Sequence, residues 1–176
     1  METRLKQLES VIGDEPTGAF FSRDRQHRYL LWRTWAGLDN LLHFVGLNPS
    51  VADEKNNDPT IRRCIGFAKR EGASGVLVTN LFSYCSTDPK DLKAASNPVR
   101  AVNKEWIDAA QALAAKTVAC WGVHGTHGNR SLETLGGLGS VFCFGTTRSG
   151  EPRHPLYLRG DAKIRLLERE EIKALD

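Results

Sequence analysis

Four cysteines, Cys64, Cys85, Cys120 and Cys143, are all that this chain of 176 residues carries. They stand too far apart for a CxxC metal knuckle and are too few to staple a chain of this length. They read as buried free thiols, and no iron–sulfur cluster or other metal cofactor is expected. No stretch approaches the ~18–20 uninterrupted apolar residues that cross a bilayer. Residues 1–15 mix Glu, Lys and Arg with spaced aliphatics and hold no apolar run of the signal-peptide kind, which predicts a cytoplasmic protein without a membrane partner. Neither sign of charge dominates: 24 Lys and Arg against 21 Asp and Glu leave a net charge of +3, which neither demands a nucleic-acid partner nor excludes one. There is no internal repeat, low-complexity tract or linker, so residues 1–176 are expected to form a single domain.

A composition of 40% hydrophobic and 26% charged residues is that of a chain able to bury a core. Leu5, Leu8, Val11 and Ile12 fall near helical spacing, with Gly13 and Pro16 as the stop. Residues 19–22 and 28–36 are rich in aromatic and β-favouring side chains around a polar turn, which predicts a hairpin. The apolar run 41–47 then enters Asn48-Pro49-Ser50, a buried strand ending in a tight loop. Asp58 can cap a helix with Pro59 in its first turn and Ile61, Cys64, Ile65 and Ala68 on one face. A second buried strand follows at 75–82, so strand, helix and strand make a parallel βαβ unit. The pattern repeats: a helix starting at Asn97-Pro98, a strand at 117–121, a short helix near 131–135 and a strand at 141–144. Residues 161–167 read as a strand or as the start of a charged C-terminal helix. The expected fold is a three-layer α/β/α domain with a central, largely parallel sheet and an N-terminal helix plus hairpin.

Ligands of open α/β sheets bind at the carboxyl ends of the strands. Each predicted strand here runs into polar residues at that end: Asn48, Ser50 and Asp53; Asn80 and Tyr84; His124 and His127; Arg148, Arg153 and His154. The Gly46-x-Asn48-Pro49 loop presents an amide where a substrate would sit, although Asn and Pro also suit a plain turn. Asp58 reads as a cap rather than a catalytic carboxylate, whereas Asp53 has no evident capping role and is open to activating water. Asn80 ends an apolar strand and needs a hydrogen-bond partner, from the backbone or from a ligand. Phe82 and Tyr84 are stacking candidates, with a core role the stronger reading for Phe82. His124 and His127 lack a third ligand at zinc spacing. His154, between Arg153 and Pro155, suits an anion or charge developing on a leaving group.

These residues carry a family resemblance. Gly46-Leu-Asn-Pro-Ser50, the stretch from Asn56 to Arg63, Val78-Thr-Asn-Leu-Phe82, Trp121-Gly122 and the stretch from Arg153 to Tyr157 together resemble a bacterial and archaeal domain-of-unknown-function family, the one numbered 1643, over about residues 18–158. The order of a Gly-x-Asn-Pro loop, a strand Asn and a late His-Pro is also similar to the α/β uracil-DNA glycosylase superfamily. That likeness implies a uracil-DNA-glycosylase-like fold and an N-glycosidase acting on a modified or damaged nucleobase in DNA or a nucleotide. It implies that Asn48 positions water, Asn80 reads the base and His154 stabilises the leaving base. Leu156-Tyr157 departs from the small polar residue that follows His-Pro in that superfamily. Alongside it, Arg62, Arg63, Arg148 and Arg153 are candidates to hold phosphates. The competing expectation is a non-catalytic nucleic-acid or nucleotide-binding module, to which the modest charge and the absence of an Asp at position 48 are suited.

Overall fold

The computed structural model describes residues 2–168 and Glu171. Its core is a seven-stranded mixed sheet of β1 (Thr17–Phe21), β2 (Arg28–Thr34), β3 (Leu41–Gly46), β4 (Gly75–Asn80), β5 (Lys116–Ala119), β6 (Val141–Cys143) and β7 (Arg165–Leu166), in the order β1-β2-β4-β3-β5-β6-β7. The four central strands, β4, β3, β5 and β6, are parallel. The β1-β2 hairpin and β7 add antiparallel strands at the two edges. The parallel strands are the ones that read as unbroken apolar runs, as strands covered on both faces must.

Alternation along β3 assigns the two faces. Leu42 and Phe44 pack with Ile61, Cys64 and Phe67 of α2 (Pro59–Arg70). Leu41 and Val45 face the opposite layer, built from α1 (Glu2–Asp14), α4 (Asn103–Leu113) and α5 (Arg130–Gly137). The short α3 (Pro89–Ala94) joins that layer through Leu92. The α/β architecture, the hairpin and the βαβ unit therefore follow the sequence pattern. As expected, Asp58 caps α2, accepting from Ile61 N at 2.8 Å. Cys64, Cys120 and Cys143 are buried free thiols and Cys85 is half-buried.

One local expectation is overturned, one helix is added, and residues 161–167 include the strand that was one of their two expected forms. Asn97-Pro98 does not start a helix: α4 begins at Asn103 after a turn. The helix α3, capped by Asp88 with Pro89 in its first turn, lies in a segment without a helical pattern. Residues 165–166 form a two-residue strand, and the expected charged C-terminal helix falls mostly outside the described residues. Among the described residues no helix is long and apolar enough to cross a membrane.

Candidate functional site

At the carboxyl edge of the parallel strands, the segments after β3 and β5 and the loops after β4 and β6 enclose a cavity of about 470 Å3. That size lies within the ~300–1,000 Å3 typical of small-molecule sites. Leu47 and Trp121 give it apolar wall, and Asn48, Arg153 and His154 are its chief polar groups. Val123, Leu156 and Tyr157 line it while remaining exposed, with Tyr157 at 78%. A larger, more open groove of about 640 Å3 adjoins it and shares Ser50, Ser86 and Thr87. The smaller cavity is the one that brings an amide, an imidazole, a guanidinium and aromatic rings together.

Asn48 is held by its nitrogen. Nδ2 donates to Pro49 O at 3.0 Å, to Ser86 O at 2.9 Å and, at 3.4 Å, to Tyr84 O, tying the loop after β3 to the one after β4. An amide has an acceptor as well as two donors, and Oδ1 has no donor on it among the described residues. The loop itself is fastened from β2. Buried Arg33 donates to Asn57 Oδ1 at 2.8 Å and to Asp53 O at 2.7 Å, and buried Arg28 donates to Ala52 O at 2.7 Å. A guanidinium can satisfy several carbonyls of an irregular loop at once, which is why the hairpin strand can set the shape of a segment distant in sequence.

His154 is positioned from below. Gly122, at φ 75°, donates to Pro152 O at 2.8 Å, and a Cβ there would lie 3.3 Å from the Cβ of His154. Trp121-Gly122 is thus a left-handed, close-approach turn that glycine suits. Arg63 donates to Pro155 O and Leu158 O and fixes the far side of the loop. The backbone N of Leu156 donates to His154 Nδ1 over a long 3.4 Å. The neutral ring therefore carries its hydrogen on Nε2. Burial lowers its pKa, against the opposing charge of Asp58, which favours that neutral form.

Glu151 carries no local sequence signal. It is 1% exposed, accepts from Trp121 Nε1 and from Ser131 Oγ at 2.9 Å, and has its pKa raised by burial. A Cβ on Gly125 would lie 2.2 Å from Trp121 and 2.9 Å from Glu151, so this close packing sets the tryptophan wall. Nothing distinguishes a single Glu between Gly150 and Pro152 in a polar loop.

The other expected site residues scatter. Ser50 lines the cavity, but Asn80 does not: it is 4% exposed, behind Gly46, whose Cβ position would lie 2.7 Å from Asn80 Oδ1. Its Nδ2 is buried without a partner. Phe82 is in the core, 5.7 Å from the His127 ring. Tyr84 lines the neighbouring groove and meets His27 edge-on. Asp53 accepts from the backbone of Lys55 and Asn56 and from the Asn56 side chain, bonds that bring its pKa down to about 2. It is thus the clasp of its own loop, outside the cavity lining. Arg62 donates to Asn57 O, and Arg148 is exposed one residue beyond Thr147 of the lining. His124 lines the cavity and His127 does not. Among the described residues, no three His, Cys, Asp or Glu are grouped to hold a metal ion.

Residues 28–156 match the family model described as "Protein of unknown function (DUF1643)". No curated protein and no solved structure matches the chain.

Proposed function

We propose, for a chain that belongs to the DUF1643 family and so inherits no reaction from its name, that the cavity binds a nucleobase and hydrolyses its N-glycosidic bond. One observation carries this reading: Asn48 is clamped through Nδ2 on the carbonyls of Pro49 and Ser86, leaving Oδ1 free in a cavity shared with His154. Such an oxygen can accept a hydrogen from water and turn a lone pair of that water toward the sugar C1′. The C1′–N bond breaks with its electron pair leaving on the base, the water oxygen bonds C1′, and the water's proton passes to solvent or to the departing base. His154 Nε2–H donates toward the base as negative charge develops there. The sugar's positive charge makes a strong general base unnecessary. This suits a lining without a carboxylate. Val123, Leu156 and Tyr157 supply apolar cover for a planar ring.

A second reading has its own support. Asp53, the loop carboxylate open to activating water, is committed to the Lys55 and Asn56 amides. The same cavity would then bind a nucleotide without cleaving it. Incubating the protein with nucleosides, nucleotides and oligonucleotides bearing normal and modified bases, and measuring free base by mass spectrometry, tests the choice. Release that disappears in His154→Ala supports the hydrolase. Binding without release across the panel supports the module.

A further inference from the structure

The number of free cations at the cavity bears on what kind of nucleotide it accepts. Of the sixteen described residues that line it, Arg153 is the only Arg or Lys, and none is Asp or Glu. Ser50 and Thr60 also line it, with hydroxyls that have no hydrogen-bond partner among the described residues. The lining therefore offers one guanidinium and neutral donors without a carboxylate of its own, although the charge of Asp58 is felt at His154. Of the four arginines expected to grip a phosphate chain, two are engaged elsewhere, Arg153 lines the cavity, and Arg148 stands exposed one residue outside the lining. Arg63 is spent on Pro155 O and Leu158 O and lies over the Phe67 ring, and Arg62 donates to Asn57 O. On the surrounding loops, Arg25 is paired with Glu54 at 2.7 Å and Arg100 with Asp24 at 3.7 Å.

Polynucleotide binding depends on neutralising many phosphates, with ~6–10 contacts common for specific proteins. A cavity with a single lining guanidinium is matched to one phosphate group. We infer that the site's preferred ligand is a free nucleoside monophosphate, its base under Tyr157 and its phosphate on Arg153 with the Ser50 and Thr60 hydroxyls, and not a base within a DNA or RNA chain. This rests on the nucleobase reading above and narrows its substrate class.

The test is calorimetric binding of the ribo- and deoxynucleoside 5′-monophosphates, their nucleosides, inorganic phosphate, and 20-mer single strands and duplexes, at 50 and 200 mM salt. At least one monophosphate should bind tenfold or more tightly than its nucleoside and than inorganic phosphate. It should bind at least as tightly as any 20-mer, and lose less than tenfold across that salt range. A protein making several phosphate contacts loses ~10³–10⁵ instead. Arg153 is exposed, so Arg153→Gln should fold normally, erase the advantage of the phosphate and leave nucleoside affinity in place. Equal affinity for nucleoside and monophosphate, a 20-mer that binds more tightly than any monophosphate, or no binding by the whole panel would overturn the inference. Its failure is separable from that of the hydrolase reading. Base release from a 20-mer with monophosphates inert sinks only the substrate class. Phosphate-dependent monophosphate binding without base release sinks only the chemistry.

Discussion

Two sets of polar groups share the central strands, one inside the sheet layer and one at its edge. Inside, His43 of β3 is fully buried, its Nε2 2.7 Å from Thr79 Oγ1 and its Nδ1 3.3 Å from Thr117 Oγ1, so one ring spans three strands. At the edge, Asn48 keeps Oδ1 free and His154 keeps Nε2 free on a cavity wall. Both sets contain a histidine. What separates them is hydrogen-bonding capacity left over: the interior ring has none, and the edge groups each retain one atom for a ligand. Residue type at a strand is therefore a weaker sign of function than an unspent lone pair or N–H.

Loss of the edge imidazole should move chemistry and leave folding alone. The largest effect is expected from His154→Ala, a fall of ~10²–10³ in the rate of base release, as for loss of a transition-state hydrogen-bond donor. The denaturation midpoint should stay nearly unchanged. A large stability loss would merge the two sets. Asn48→Ala should do both, because it removes the free Oδ1 and also strands the Pro49 and Ser86 carbonyls. Urea unfolding should show about 1–3 kcal/mol lost, along with most of the base release.

Acid acts on the interior set. Burial holds the His43 pKa down at about 3 against an ordinary 6.5, so the unfolded chain binds a proton that the folded chain refuses. Stability from this group is full above pH 6.5 and is lost as pH falls toward 3, by about 1.4 kcal/mol per unit. Between pH 6.5 and 5 the expected loss is roughly 2 kcal/mol by denaturant titration. His27 and His154, both lowered by burial, act in the same direction, and Asp53, held down by its amide donors, adds to it below its ordinary 3.8. The slope should shrink in His43→Gln; an unchanged slope would assign it to the other groups. The smallest effect on chemistry is expected from Asn80→Ala. Asn80 lies outside the lining, and its Nδ2 has no partner to lose. Base release should stay within about threefold and stability within the ~1 kcal/mol common for point changes. A selective loss of base discrimination would return Asn80 to the site.

Much of the frame was legible because it rests on local signals. Apolar runs marked β3, β4 and β5, and the Asp58-Pro59 start with its apolar stripe marked α2. The same Asp-Pro signature at Asp88 carries no helical stripe behind it, since a six-residue helix burying only Leu92 has no period to detect. The strand-end rule brought Asn48, Ser50, Arg153 and His154 to one cavity. It carried Asn80 wrongly to the same place: in register with Gly46, Asn80 is the last residue of its strand and still belongs to the sheet layer, whereas Asn48 stands two residues beyond. Arg28, Arg33 and Glu151 were illegible because their work is long-range. Burying a charged side chain depends on carbonyls or donors supplied by loops distant in the sequence.

The central claim is that water held at Asn48 attacks the sugar of a base bound beside His154. Turnover in 18O-labelled water, with the sugar product examined by mass spectrometry, tests it most directly. The account predicts free base together with a sugar carrying one 18O at C1′, both lost in His154→Ala. Intact nucleosides, nucleotides and oligonucleotides after prolonged incubation, with no label in any sugar, would contradict it.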